Sequence, residues 1–258
     1  MKCNVCGTMN HSFFSGAVLE KYNINYYYCQ NCGFIQTEYP HWLEEAYSKP
    51  INVSDTGYLV RNLSNVKYLT VFLYMLFGTN GVFLDYAGGY GVFVRLMRDI
   101  GFDFTWYDKY TKNLFASGFE WDEKSKVDAI TIFETFEHFV EPMTEIQSLL
   151  QTSNIVVFST ELYPEPVPRP EDWWYYGLEH GQHISFYSKK TLKYIANKFD
   201  VYYYKIGSLH IFSRKKIPNY ILLTTKLSKF GVDRLLSKKL TSKTWADYQY
   251  ISKKVEQN

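Results

Sequence analysis

Two groups of residues have the spacing that chemistry requires. Cys3-Asn4-Val5-Cys6-Gly7 and Cys29-Gln30-Asn31-Cys32-Gly33 are CxxCG knuckles separated by 22 residues, and together they use all 4 cysteines of the chain. Two residues between thiolates let both sulfurs reach one ion from a tight turn, and the trailing glycine lets backbone amides point at the sulfurs. Four thiolates close a tetrahedral zinc site with no open coordination position, so Cys3, Cys6, Cys29 and Cys32 are expected to hold structural Zn2+ and to do no catalysis. A redox role for a CxxC pair is the alternative, disfavoured because neither knuckle ends a βα unit. Phe13–Ser15 and Tyr26–Tyr28 read as short strands of a zinc ribbon between the knuckles.

The second group is Val82-Phe83-Leu84-Asp85-Tyr86-Ala87-Gly88-Gly89-Tyr90-Gly91, an apolar strand that breaks into a glycine-rich turn and opens a helix. Another apolar run ends in Asp108, 23 residues after Asp85. Glycines let backbone approach a ligand, the helix start offers amides, and an acid at the end of the second strand accepts hydrogen bonds from ribose hydroxyls. The pattern predicts a seat for an adenosine-containing cofactor.

The elements that must hold these residues follow from periodicity. Helices are expected at His41 to Tyr47 and Leu59 to Phe77, before the breaker Gly78-Thr79-Asn80-Gly81. Strands are expected at 82–86, 102–107, 127–133 and 154–159, with helices at 91–99, about 111–116, 141–151 and 190–198. Segments 200–206 and 208–213 lack a helix between them and read as an antiparallel pair. The layout is therefore a zinc module at 1–40, a helical connector or lid at 41–80, a cofactor-binding α/β domain at 81–213 and a helical tail at 214–258.

Charge is uneven. The net value is +2, yet Arg214 to Asn258 holds 11 Lys and Arg against 3 acids, leaving 17 against 23 in the rest. A solvated helical face is the plain reading of the tail, and peripheral contact with an anionic surface the other. A ribbon with only Lys2 and Lys21 gives no expectation of nucleic acid. No apolar run approaches a membrane span and no secretory segment opens the chain, so a cytoplasmic protein is expected.

These motifs resemble those of the class I S-adenosylmethionine-dependent methyltransferases. Leu84-Asp85-Tyr86-Ala87-Gly88-Gly89-Tyr90-Gly91 is similar to the family's first motif, with Ala87 where the first of three alternating glycines usually stands. Asp108 matches the ribose-binding acid, and Val127 to Pro142, with its Glu137-His138 pair, resembles the fourth-strand signature. Gly181-Gln182-His183-Ile184-Ser185-Phe186-Tyr187-Ser188 resembles a block of a subgroup that carries an N-terminal CxxC…CxxC module and is often associated with sugar and surface-polysaccharide biosynthesis, and Asp55 to Asn62 resembles a family block preceding the cofactor domain. The resemblance implies a Rossmann-like, mostly parallel seven-stranded sheet. It also implies S-adenosyl-L-methionine held by Asp85, Ala87, Gly88, Gly89, Gly91, Asp108, Phe133 and Glu134.

Methyl transfer to a hydroxyl is helped by a base, and His183 beyond the fifth strand is the first choice, with His138 second. The loop Ser159 to Tyr176 carries four prolines and then four aromatics in a row. Tyr58, Arg61, Glu161, Tyr163, Trp173, Trp174 and Tyr176 are expected to meet the acceptor, unless the aromatics only plug the core. The expected activity is O-methylation of a small-molecule or glycan acceptor. Another metabolite, a nitrogen acceptor or a nucleic acid met through the ribbon are the alternatives.

Overall fold

The computed structural model describes residues 1–48 and 55–256; residues 49–54 of the expected connector and the last two of the expected tail lie outside the described residues. Between the knuckles, β1 (His11–Val18) and β2 (Tyr22–Tyr28) form an antiparallel hairpin; β1 extends the expected Phe13–Ser15 at both ends, and β2 extends the expected Tyr26–Tyr28 at its start. β3 (Ile35–Thr37) follows the second knuckle and pairs with β2. Its free edge takes a two-residue strand from far down the chain, which places Ile35 opposite Phe186 and Gln36 opposite Ser185. So short a strand has no periodicity to announce it.

Helix α1 (Leu43–Ala46) is a single turn, whereas α2 (Tyr58–Phe77) runs 20 residues and stops at Gly78, which takes a left-handed φ of 62°. Then come β4 (Val82–Tyr86), α3 (Val92–Ile100), β5 (Asp103–Tyr107), β6 (Ala129–Phe133), α4 (Pro142–Thr152) and β7 (Ile155–Ser159), all within two residues of expectation. After β8 (Ser185–Phe186), α5 (Lys189–Lys198) starts on a capping box: Ser188 Oγ accepts from the Thr191 amide at 3.1 Å, and Thr191 Oγ1 accepts from the Ser188 amide at 3.1 Å. β9 (Tyr202–Ile206) and β10 (Leu209–Ser213) are antiparallel.

The large sheet has six strands in the order β5-β4-β6-β7-β10-β9, with β4 parallel to β5 and to β6. This corrects the expected seven strands. Beyond β5, a single bridge forms among the described residues, Trp106 to Glu120. In the segment after Tyr107 the apolar residues Leu114, Phe115, Phe119 and Trp121 are interrupted by Asn113, Gly118, Glu120 and Asp122, so no alternating run is long enough for a further strand. The helix expected near 111–116 is absent for a related reason. Asn113 folds its side chain onto local backbone, accepting from the Ala116 amide (2.9 Å) and donating to its carbonyl (2.8 Å), a turn that competes with a helix.

Among the described residues the chain forms two compact units: residues 1–48, 133–151 and 158–214, and residues 55–132, 152–157 and 215–256. In the first unit, Val18, Tyr26, Ile35, Trp42, Trp173, Tyr176 and Phe186 share one buried cluster, and Trp42 Nε1 donates to the Gly181 carbonyl at 2.8 Å. In the second, Phe83, Phe93, Phe102 and Phe104 pack ring on ring. The tail folds as α6 (Asn219–Lys226), α7 (Val232–Ser237) and α8 (Thr244–Glu256), and α8 returns Asp247 to the buried Arg98 of α3. No helix among the described residues is long and apolar enough to cross a membrane.

Candidate functional site

The turn after β4 is assembled inside the second unit. β4 carries Asp85 inward, where Oδ1 accepts from Thr131 Oγ1 at 2.6 Å. Burial pushes its carboxyl up to about 7, eased by Thr131 and reinforced by the charge of Asp108. Gly88 has no room for a side chain, because a Cβ there would lie 2.8 Å from both Asp85 Oδ2 and Trp106 Cδ1. At Gly91, left-handed at φ 83°, a Cβ would lie 2.6 Å from Asn113 Oδ1. Trp106 Nε1 donates to the Gly89 carbonyl at 2.9 Å, fixing the loop from the β5 side.

Asp108 closes the cradle. Its Oδ2 accepts from the Gly89 amide (3.0 Å) and its Oδ1 from the amides of Tyr110 and Thr111 (2.8 Å each). Three donors aim the carboxylate and leave lone pairs for further donors, the arrangement that can accept from a pair of vicinal hydroxyls. Tyr58, the first residue of α2, sets its hydroxyl over the turn, 3.2 Å from where a Gly89 Cβ would stand. Burial pushes that phenol up to about 12, with the charges of Asp85, Asp55 and Asp108 adding, so it donates. Arg61 is engaged otherwise, forking onto Asp55 at 2.7 and 2.5 Å.

Ala87 is a non-glycine residue in the left-handed region, at φ 56°. A Cβ costs about 1–2 kcal/mol there, more than the entropy a glycine would lose. Ala87→Gly should therefore raise the melting midpoint by about 2–4 °C, a gain of about 1 kcal/mol for a chain of this size. A midpoint unchanged or lowered in a thermal scan would show that the turn carries no such strain.

A second polar cluster lies within the first unit. Phe133 ends β6, and Glu134 follows in a left-handed conformation (φ 46°), its Oε1 accepting from Ser159 Oγ (2.5 Å) and Oε2 from the Tyr175 hydroxyl (3.2 Å). Glu137 is fully buried and neither carboxylate oxygen finds hydrogen-bond geometry, although Thr160 and Tyr175 approach. Burial, then the charge of Glu134, pushes it up to about 8. His138 Nε2 lies 3.8 Å from Glu137 Oε1, and the His138 and His183 rings are 5.1 Å apart. His138 Nδ1 is 3.0 Å from the Gln182 carbonyl and His183 Nδ1 is 2.7 Å from that of Tyr175.

A carbonyl can only accept, so the hydrogen-bond network assigns the His183 proton to Nδ1 and leaves its Nε2 a free base, while His138 donates from Nδ1 to Gln182 and also faces the Glu134 carbonyl. Burial keeps both rings neutral: His138 is lowered to about 4, and His183 falls well below the ordinary histidine value, helped by His138 and His180. One ligand atom from each of Glu137, His138 and His183 lies within 4.8 Å of the others. Such a trio can relay a proton or hold a divalent ion.

With this geometry in view, a family described as "Methyltransferase domain" matches residues 62–205. The chain belongs to the methyltransferase domain family. Family, fold and the carboxylate at the glycine turn together make it an S-adenosylmethionine-dependent methyltransferase. No curated protein matches the chain. Among solved structures, the plantazolicin methyltransferase BpumL in complex with SAH has 12% identity, covers 77% of this chain and 86% of that one, and has a TM-score of 0.50, which supports the fold. Magnesium protoporphyrin IX methyltransferase from Synechocystis PCC 6803 with bound SAM (11% identity, 69% and 93% covered, TM-score 0.41) is more distant in shape. So is an O-methyltransferase family protein from Burkholderia thailandensis (15%, 60% and 55%, TM-score 0.45).

The methyltransferase brings Cys3, Cys6, Cys29 and Cys32 together. Sγ of Cys3 is 3.6 Å from that of Cys32, and Sγ of Cys6 is 3.4 Å from that of Cys29. Four sulfurs at the usual ~2.3 Å from zinc stand about 3.8 Å apart, so the set fits a tetrahedral ion with little movement. The knuckles are alike: Gly7 (φ 74°) and Gly33 (φ 72°) are left-handed, and their amides bond the Cys3 and Cys29 carbonyls at 2.9 and 2.8 Å.

The expectation for the proline–aromatic loop needs correction. Tyr163, Trp173 and Tyr176 are buried in the first unit's core, with the Tyr163 hydroxyl donating to the Gly33 carbonyl and that of Tyr176 to the Pro168 carbonyl at 3.0 Å. Rings so enclosed cannot offer a face to an acceptor. Only Trp174 of the four consecutive aromatics is exposed, at 78%. Tyr175, the one left out of the expected set, is the ring that touches both Glu134 and His183; no periodicity distinguishes it from its neighbours. Glu161 is exposed, and its carboxyl is raised by partial burial and by Glu134.

Proposed function

We propose that this methyltransferase moves the methyl group of S-adenosylmethionine to an oxygen of a sugar or glycan intermediate in surface-polysaccharide biosynthesis. The donor assignment rests on one observation: Asp108 is aimed by three amides beside a turn where Gly88 and Gly91 leave no room for a Cβ. The sulfonium supplies an already activated methyl group. Asp108 accepts from the ribose hydroxyls, while Asp85, Ala87, Gly88, Gly89 and Gly91 line the seat, and Phe133 and Glu134 are assigned to the same ligand. Holding donor and acceptor aligned is worth about 7–11 kcal/mol of barrier.

His183 is assigned the acceptor's proton, taken at Nε2 while Nδ1 stays on the Tyr175 carbonyl. His138, next to Glu137, positions it. Trp174 and Glu161 are assigned to the acceptor because an exposed indole stacks on sugar CH faces and a carboxylate binds hydroxyls. Tyr58 belongs with the donor seat, and Arg61 acts through Asp55. The four cysteines hold a structural zinc that takes no part in the reaction, residues 1–40 and 214–258 act as accessory segments, and the protein works in the cytoplasm.

His183→Ala should lower kcat by about 10²–10⁴-fold, the usual worth of a positioned base, with donor affinity unchanged. Because burial holds this ring neutral, protonation of His183 should lower the wild-type rate only well below the ordinary histidine pKa of about 6.5, and a change of rate between pH 7 and 8 would belong to Asp85 or Glu137 instead. The assay is mass spectrometry of nucleotide sugars incubated with donor. Full activity in the variant removes His183 as base. Loss of activity under chelation that leaves one zinc per chain and the circular dichroism unchanged, restored by magnesium or manganese, would instead make the trio a metal site.

A further inference from the structure

The helical segment of residues 219–230 leaves one face uncovered. α6 continues without a break into a 3-10 turn over Leu227–Phe230. Tyr220, Leu223, Leu227 and Phe230 recur every three or four residues, so they share a face, and they are 59, 61, 46 and 73% exposed. The other face does the folding. Ile221, Thr225 and Ser228 are buried, Thr225 Oγ1 donates to the Ile221 carbonyl (2.8 Å), Ser228 Oγ donates to the Thr225 carbonyl (2.6 Å), and the segment packs on α2. A helix of this kind normally has one apolar stripe, turned to the core. This one has a second stripe turned outward.

The surroundings are basic. From Arg214 to Lys243 there are 9 Lys and Arg and one acid, Asp233. Lys216, Lys226, Lys229, Arg234, Lys238 and Lys239 are exposed, and Lys229 Nζ sits 4.8 Å over the Phe230 ring, which places a charge at the apolar tip.

We propose that this face docks the protein on an anionic lipid bilayer, with the four apolar side chains entering the boundary between headgroups and acyl chains and the cations meeting lipid phosphates. The chemistry separates this occupant from two others. A polynucleotide would satisfy the cations but leave Leu223 and Phe230 in water. A second copy would cover the apolar row but bring two strongly positive surfaces together. A bilayer with negative headgroups satisfies both features, as interfacial amphipathic helices do.

The test is co-sedimentation of the full chain with vesicles of phosphatidylcholine, alone or mixed with phosphatidylglycerol. Binding should be at least about tenfold stronger to the anionic vesicles and should weaken in high salt. Leu223→Ser with Phe230→Ser should cost about tenfold or more, and Lys226→Gln with Lys229→Gln several-fold. All four side chains are exposed, so circular dichroism and S-adenosylhomocysteine affinity should be unchanged in both variants, which keeps the outcome separate from the methyl-transfer reading. No binding to anionic vesicles overturns the proposal. So does binding indifferent to the serine variant, or a dimer by light scattering that the serine variant dissolves while vesicles are ignored. Binding to a polynucleotide that the serine variant leaves intact, with vesicles again ignored, overturns it as well.

Discussion

Asp247→Ala should destabilise the protein by about 3–5 kcal/mol, against the roughly 5–15 kcal/mol typical of a folded domain. Arg98 is nearly enclosed, and two of its nitrogens donate to the two oxygens of Asp247, at 2.8 and 2.7 Å. Its third nitrogen donates to Asp103 (2.7 Å) and to the Phe104 carbonyl (2.8 Å), and the guanidinium lies 3.8 Å over the Phe119 ring. Removing Asp247 takes away the two-point partner of that cation, leaves the half-buried Asp103 alone to balance it, and removes the Arg98 and Arg95 contacts that tie α8 to α3. Burial alone would raise the Asp247 carboxyl, but hydrogen bonds from Arg98 and Arg95 outweigh it and hold the group below its ordinary value. The sign follows: a depressed carboxyl stabilises above its unfolded pKa of about 3.9, and the contribution is lost as pH falls through the folded value. The urea midpoint of Asp247→Ala, compared with that of Asp247→Leu paired with Arg98→Met, is the check. The apolar pair should recover much of the loss, since buried ion pairs are often replaceable by packing. A single variant within about 1 kcal/mol of wild type would mean the pair is solvated in solution.

Removing zinc should have a comparable or larger effect, confined to the first unit. Elemental analysis is expected to find one equivalent per chain. Chelation, or Cys32→Ser, should forfeit most of the roughly 10–16 kcal/mol that four thiolates draw from a structural ion in small finger modules. β1, β2 and β3 then have little to hold them except the aromatic cluster around Tyr26 and Trp42, so near-ultraviolet circular dichroism from those rings should collapse early on heating. Because Gly33 sits behind the second knuckle and its carbonyl accepts from Tyr163, Ser188 and Thr191, the start of α5 should loosen with it. A protein free of metal with an unaltered melting curve would make the cysteines ordinary buried thiols.

The parts legible in the chain are those with local physics. The knuckles state their own ligands, because two residues between cysteines is a constraint on one turn. β4, its glycine turn and Asp108 were legible for the same reason, as were the long periodic helices. What stayed hidden depends on distant partners. β8 exists only because β3 offers an edge. The seventh strand was an expectation of the resemblance alone, and in the 107–129 segment the apolar residues Leu114, Phe115, Phe119 and Trp121 are too interrupted by turn formers to make one among the described residues. Trp173, Trp174, Tyr175 and Tyr176 are four similar side chains in a row, and only tertiary packing turns Trp174 to solvent while setting Tyr175 against Glu134 and His183. Burial of Glu137 without a hydrogen-bond partner is likewise invisible in a sequence that shows only a Glu-His pair after an apolar strand.

The most direct measurement is isothermal titration of S-adenosylhomocysteine into the zinc-loaded protein, beside Asp108→Ala. One site per chain is predicted for the wild type. The variant should bind about ten- to a hundredfold more weakly, the worth of one or two hydrogen bonds to a charged acceptor. Folded wild-type protein that binds neither S-adenosylhomocysteine nor S-adenosylmethionine would contradict the assignment of the glycine turn and Asp108 as the donor's seat, and with it the proposed reaction.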